Sequence, residues 1–158
     1  MKITALLAVG AASLELVFTL PARSATGIAA MQYYVGTWSC IGGVTDKQPF
    51  HFTVKYTMNA AILQTWVQAS SGYVQSGSLR YDSKNRRFVE VAVASDDTWF
   101  VAYRTMSGNT ETSVDHVTSD GQLGRLVTER TSSTSYTAAT YPGFSGGKAL
   151  FRWTCRRS

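Results

Sequence analysis

Short runs in which apolar and polar residues alternate fill the sequence from residue 36 onward, and turn-forming residues separate them. In HFTVKYTM, for example, Phe52, Val54 and Tyr56 fall on one face of a strand and the intervening residues on the other. Segments such as SSG, DSKN, SGN and SDGQ supply the Gly, Asn, Asp and Ser that tight turns need. A short helix is expected only at GIAAMQYY, just before the first run. The pattern predicts about ten antiparallel strands joined mostly by hairpins.

Strands joined in this way can form an open meander, a sandwich or a closed up-and-down barrel, and closure removes the exposed edges. With an even number of strands, the first and last strands meet antiparallel at the seam. The two cysteines lie in those strands, and pairing Cys40 with Cys155 places Gly42 opposite Trp153, where a glycine leaves room for the indole. Two free buried thiols are the alternative. We therefore predict an all-β, single up-and-down antiparallel barrel over residues 31–158, with its ends clipped by a disulfide.

The first 24 residues have the layout of a secretory signal peptide. Lys2 precedes a mostly apolar run to Leu20, and Pro21 and small residues follow, with Ala22 and Ser24 suited to a cleavage site. An N-terminal membrane anchor is the alternative, although the run is short for a membrane span. No later stretch approaches that length, so no transmembrane segment is expected after the signal. The predicted location is secreted or periplasmic, where a disulfide is favoured.

The charge pattern argues against a nucleic-acid partner. The formal net charge is +5 over 158 residues, but the basic residues are scattered and only two Arg-Arg pairs occur. Scattered charge of this kind is typical of a solubilising surface rather than of a nucleic-acid groove.

The GTW motif that opens the first strand, together with FRW on the last, resembles the lipocalin-like (calycin) superfamily. The resemblance implies a barrel in which the tryptophan of G-x-W closes one end and stacks with an arginine from the final strand. By position, that pair would be Trp38 and Arg152. The stretch GSLRYDSKNRRFVEVAVASDDTW also resembles the DUF1579-like family of uncharacterised, mostly bacterial proteins. Together these similarities cover most of residues 33–157.

Haem and metal cofactors are not expected. Nitrobindin-type haem barrels also open with GTW, but their glycine-rich continuation is replaced here by SCIGG. The haem-ligating histidine of those proteins lies near the C-terminus, whereas the two histidines of this chain are His51 and His116. No spacing of Cys and His residues suits a metal site.

No residue is assigned a catalytic role from the sequence. Asp115 and His116 are neighbours in a strand and so point to opposite faces, which prevents a direct pair. Enzymatic activity is left open and is the less expected outcome.

Glu90 and Arg104 are the charged residues that could lie inside the barrel. If their faces point inward, each charge needs a partner, and either could anchor the polar end of a ligand. The favoured interpretation is the opposite one, in which Val89, Val91 and Val93, and Trp99, Val101 and Tyr103, point inward and both charges meet solvent. The candidate ligand-cavity residues are Phe52, Tyr56, Trp66, Glu90, Trp99, Tyr103 and Arg104.

The leading functional hypothesis is an exported lipocalin-like barrel that binds a small hydrophobic or amphipathic ligand in its interior, with the loop YPGFSGGK as a lid at one mouth. The alternatives are an enzyme on the same barrel, or a solid structural or interaction module of the cell envelope. An inward Glu90, Arg104 or His116 would favour the enzyme, and an all-apolar interior would exclude it.

Overall fold

The computed structural model describes residues 27–44 and 49–158, which form one short 3-10 helix, η1, and ten β-strands. The predicted signal peptide, residues 1–24, lies outside the described residues. The bounds are η1 Gly27–Tyr34, β1 Gly36–Gly43, β2 Phe50–Asn59, β3 Ile62–Ala69, β4 Val74–Asp82, β5 Arg87–Ala94, β6 Trp99–Ser107, β7 Thr110–Thr118, β8 Gly124–Ser132, β9 Ser135–Pro142 and β10 Phe151–Arg157. Within these ranges no helix has the length and apolar character needed to cross a membrane.

The ten strands pair with their sequence neighbours, and β1 pairs with β10 to close an antiparallel barrel. At this seam Cys40 lies opposite Cys155, and the two form a disulfide. Gly42 faces Trp153, as the sequence predicted. A Cβ atom on Gly42 would lie 2.6 Å from the Trp153 Cβ, so a residue with a side chain does not fit there. The all-β barrel and its disulfide clip are therefore confirmed.

The two ends of the barrel are built differently. Where β1 begins, tight hairpins surround η1, and we call this the plugged end. The Tyr33 hydroxyl donates to the carbonyls of Ser132 at 2.8 Å and Ser135 at 2.6 Å, which ties η1 to the β8–β9 hairpin. Arg130 Nη2 donates to the Ala30 carbonyl at 2.8 Å. The opposite end, which we call the mouth, carries the longer loops, including the predicted lid loop between β9 and β10.

Trp38 is fully buried under the plugged end. Its indole N–H donates to the Tyr34 carbonyl at 2.7 Å, and its ring lies 4.9 Å from that of Tyr136. The arginine over the indole is Arg157, at 4.5 Å, so the predicted pairing of Trp38 with Arg152 is wrong. The register explains the error, because Arg157 lies opposite Trp38 while Arg152 lies opposite Gly43 on the outer face.

The favoured orientation of β5 and β6 is also wrong. Val91 and Val93 are 49% and 54% exposed on the outer face, whereas Glu90 is 2% exposed and points inward. Phe88 and Ala92, on the same face of β5 as Glu90, are buried in the interior. This face can point inward because Arg104 neutralises the Glu90 carboxylate. The charges are thus buried as a pair rather than left in solvent.

Three of the candidate cavity residues lie on the outer wall. Trp66 and Trp99 are 49% and 42% exposed. Tyr103 packs outside the barrel between the Arg87 guanidinium, 3.5 Å from its ring centre, and His116. These residues alternate with inward-facing neighbours, so their exposure follows from the strand geometry.

Candidate functional site

A cluster of three charged side chains lies inside the barrel on neighbouring strands. Arg104 on β6 donates from Nε to Glu90 Oε2 on β5 at 2.7 Å, and its Nη2 contacts the same oxygen. Its Nη1 donates to Glu111 Oε1 on β7. One guanidinium therefore bridges two carboxylates, and it occupies the space between them.

The three members of this ion cluster differ in exposure. The side chains of Glu90 and Glu111 are 3% and 1% exposed, while that of Arg104 is 13% exposed. Burial opposes the charged form of Arg104, yet the two carboxylates raise the pKa of the guanidinium well above its usual value. Arg104 thus stays charged, and its register opposite the buried Phe88 places it on the inner face of the barrel.

Three tyrosines lie beside the ion cluster. The ring of Tyr34 lies 5.5 Å from that of Tyr56 and 5.6 Å from that of Tyr136. Burial raises the pKa of Tyr56 to about 12, and burial, with the nearby Glu111 carboxylate, also raises the pKa of Tyr34 and of Tyr136. All three hydroxyls therefore remain protonated at neutral pH and can donate hydrogen bonds.

Part of the hydrogen-bonding capacity in this region is unused. Among the described residues, Glu111 Oε2 is buried and has no hydrogen-bond partner, whereas the buried hydroxyls of Tyr34 and Tyr136 lie beside Arg130 and Tyr56 respectively. Buried polar atoms without partners are uncommon in folded proteins and call for an explanation.

Closer to the mouth the interior becomes more apolar. Phe52, Phe100, Phe151 and Trp153 point inward and are half-buried. The ring of Trp153 lies 5.2 Å from Phe151 and 6.2 Å from Phe52. The interior is therefore amphipathic, with a charged and hydroxyl-rich region near the plugged end and aromatic walls near the mouth.

A single further carboxylate, Asp115, lies on the inner face of β7 near the mouth. It accepts a hydrogen bond from the Gly124 backbone N–H at 2.9 Å, and burial raises its pKa above the usual range. His116, its neighbour, lies on the outer face with its ring 4.7 Å from that of Tyr103. Asp115 and His116 therefore do not pair, as the sequence predicted.

Of the predicted cavity residues, the structure brings Glu90, Arg104 and Tyr56 together and places Phe52 nearer the mouth. Sequence reasoning missed Glu111, and a usable signal for it existed. Glu111 follows Arg104 across a tight hairpin, where it pairs with Met106, and in TETSVDH it shares a face with Ser113 and Asp115. The inward tyrosines Tyr34 and Tyr136 carried no comparable signal, because η1 brings the first of them from outside the strand pattern.

No group of three or more His, Cys, Asp or Glu side chains in residues 27–44 and 49–158 is arranged to hold a metal ion. The acidic pair inside the barrel is instead satisfied by Arg104.

Comparisons with known proteins bear on the fold. No protein-family model matches this chain, and no curated protein sequence is similar to it. Among solved structures, it is similar to the crystal structure of Rv2717c from M. tuberculosis, with a TM-score of 0.52 and 12% sequence identity. The similarity covers 82% of this chain and 95% of that one. This chain is therefore a ten-stranded closed antiparallel barrel with a structural neighbour of the same fold.

Proposed function

We propose that this protein is an exported, lipocalin-like carrier that binds one small amphipathic molecule inside its barrel. The observation that carries the proposal is the position of Arg104 on the inner face of β6, where its side chain remains 13% exposed while both carboxylates that neutralise it are buried. A charged donor farther inside than a group of half-buried aromatic side chains suits the polar end of an amphipathic ligand.

The polar end of the ligand is expected to accept hydrogen bonds. A guanidinium carries five N–H donors, and Glu90 and Glu111 engage three of those of Arg104, which leaves two. The protonated hydroxyl of Tyr56 lies in the same region and adds a donor. A purely hydrophobic ligand would leave these donors unpaired, so an amphipathic ligand is favoured over a hydrophobic one.

The apolar part of the ligand would lie against the aromatic side chains nearer the mouth. Phe52, Phe100 and Trp153 are half-buried there, so each has apolar surface left to cover. Burying that surface against a ligand supplies the non-directional part of the binding free energy.

Export and membership of the lipocalin-like barrels are part of the same proposal. The signal-like N-terminus and the Cys40–Cys155 disulfide support an oxidising compartment. The G-x-W tryptophan capped by an arginine of the last strand, Arg157, supports the lipocalin-like assignment.

The test is a fluorescence titration with 1-anilinonaphthalene-8-sulfonate, an amphipathic probe with a hydrogen-bond-accepting group. Thr140 is an inward, half-buried residue of β9 near the mouth, and Thr140→Phe places a ring in the passage. Thr137→Phe on the outer face of the same strand is the matched control. We expect one saturable site in the wild type, unchanged in Thr137→Phe and at least about tenfold weaker in Thr140→Phe.

Near-UV circular dichroism of each variant shows whether its tertiary packing is intact. A wild-type protein without a saturable site, or equal binding by a folded Thr140→Phe variant, would exclude an interior site for the probe.

An enzyme on the same barrel is the second candidate, and the inward ion cluster with its unpartnered Glu111 oxygen favours it. The two functions differ in what happens to the bound molecule. Native mass spectrometry of the purified protein identifies the bound molecule, and the same molecule is then analysed after release. A carrier releases it unaltered, whereas an enzyme releases an altered molecule. Glu111→Gln would abolish the alteration.

A further inference from the structure

We propose that one side of the mouth docks on an anionic lipid surface. This inference rests on the proposed carrier function, because docking there would place the mouth against a source of amphipathic ligands. The docking rim, as we define it, combines exposed apolar side chains with basic side chains from the mouth ends of β1, β2, β8 and β10 and from the β9–β10 loop. Its members are Ile41, Val44, Phe50, Phe144, Leu150, Arg125, Lys148 and Arg152.

The topology makes the docking rim one continuous feature. Because β1 pairs with β10, the end of β1 and the loop between β9 and β10 are neighbours at the mouth. Phe144 and Leu150 are 58% and 56% exposed, and Phe50 stacks on Phe151 with ring centres 4.9 Å apart. The apolar rim is therefore contiguous with the aromatic passage to the interior.

The β9–β10 loop is anchored, so the exposure of its apolar side chains is part of the fold. Ala149 is buried, and its neighbour Leu150 donates its backbone N–H to the Thr140 carbonyl at 2.9 Å. At the other end of the loop, Gly143 N–H donates to the Leu123 carbonyl at 3.0 Å. Phe144 and Leu150 thus project from a fixed loop, and exposed apolar groups of this kind mark an interaction surface.

Charge selects an anionic partner. Residues 143–153 contain Lys148 and Arg152 and no acidic residue, and Arg125 reaches the Gly146 carbonyl at 3.5 Å. Asp96 and Asp97 lie in the β5–β6 loop, whereas Asp120 lies in the β7–β8 loop beside the β9–β10 loop, and the sequence between β1 and β2 contains Asp46 and Lys47. Basic residues that flank protruding apolar groups fit an interface with anionic headgroups, and the acidic β5–β6 loop lies on the opposite side of the barrel.

The experiment measures binding of the full-length mature protein to sedimented vesicles of phosphatidylcholine with about 30% phosphatidylglycerol, and to vesicles of phosphatidylcholine alone. We expect binding to the anionic vesicles that weakens as salt is added. Phe144→Ser/Leu150→Ser should weaken it at least about tenfold, and Lys148→Ala and Arg152→Ala about fivefold each. The matched control is Val91→Ser/Val93→Ser, which removes equally exposed apolar groups from the outer wall and should bind as the wild type does.

Absence of binding to the anionic vesicles would overturn the inference, and so would an equal loss in the Val91→Ser/Val93→Ser control. Titration with the naphthalene probe tests interior binding separately from vesicle binding, so failure of the docking proposal can be distinguished from failure of the proposed carrier function. The Phe144→Ser/Leu150→Ser variant should keep its interior probe site, and Thr140→Phe should lose that site while still binding vesicles.

Discussion

Among individual residues, the most unusual feature of the barrel interior is one arginine that bonds to two buried carboxylates. Glu90, Arg104 and Glu111 come from three consecutive strands, and each of them alone would be a costly buried charge. A fully apolar core would be at least as stable as such a cluster, so stability alone does not account for it. The proposed binding of a polar ligand group would account for it.

The buried ion cluster leads to a prediction about two variants. Arg104→Met leaves two buried carboxylates without their cation and should lower the free energy of unfolding by about 3–5 kcal/mol. Glu90→Leu/Arg104→Met/Glu111→Leu removes the whole cluster and should recover most of this loss. Guanidinium denaturation measures both values. The triple variant should nevertheless bind the naphthalene probe more weakly than the wild type.

A triple variant as unstable as Arg104→Met would contradict this interpretation, since the cluster would then be required by the fold. A stable triple variant with wild-type probe affinity would show that the cluster takes no part in binding the probe.

The residue scale is also where sequence reasoning succeeded and failed most clearly. The register that places Gly42 opposite Trp153 also places Arg157 opposite Trp38, so the contact between Arg157 and Trp38 could have been predicted from the sequence. The position of Arg152 in the FRW motif suggested that residue instead. The inward orientation of Glu90 was not accessible in this way. Its partner, Arg104, is separated from it by a hairpin, and the alternation within a single strand does not report that pairing.

At the scale of elements, alternation and turn residues located all ten strands, because each strand is short and bounded by residues that suit a turn. The same signal could not choose the inner face of β5, where both faces are largely apolar. The role of η1 could not be predicted either, since the sequence of a short apolar helix does not indicate which end of the barrel it closes. Its tertiary hydrogen bonds, rather than its sequence, fix its place.

Those hydrogen bonds lead to a prediction for η1. Tyr33→Phe removes the hydroxyl that bonds to the Ser132 and Ser135 carbonyls and should cost about 1–2 kcal/mol. The loss should be local, so hydrogen exchange of residues 27–34 should speed up more than that of the strands. The control is Tyr73→Phe near the mouth, whose hydroxyl bonds to Gln75 Oε1 at 2.9 Å. Unchanged exchange in η1 would mean that packing around Trp38 holds the helix without these bonds.

At the scale of the whole molecule, closure sets the distribution of charge as well as the shape. Glu90, Glu111 and Asp115 lie on the inner face, and so do Arg104, Arg130 and, opposite Trp38, Arg157. These inner-face charges balance, so the outer surface keeps the net positive charge of the composition. This net charge supports the anionic partner inferred for the docking rim.

Closure also yields the prediction with the largest expected effect on stability. The Cys40–Cys155 bridge joins residues 115 positions apart, so it constrains nearly the entire barrel domain in the unfolded state. Chain-entropy arguments give about 4–5 kcal/mol for a loop of this size. Cys40→Ala/Cys155→Ala should therefore lower the free energy of unfolding by that amount, measured by guanidinium denaturation, while the barrel still closes through the remaining β1–β10 pairs.

Dithiothreitol supplies the internal control for this measurement. It should destabilise the wild type to the level of the double variant and leave the double variant unchanged, because the variant has no bridge to reduce. Probe binding by the folded double variant should match that of the wild type, since the remaining β1–β10 and β1–β2 pairs keep Phe52 and Trp153 in place. A loss of less than about 1 kcal/mol would mean that the unfolded chain retains enough structure near the seam for the bridge to add little constraint. Loss of probe binding in a folded variant would instead show that the bridge holds the shape of the interior, and the clip at the seam would then belong to the binding site.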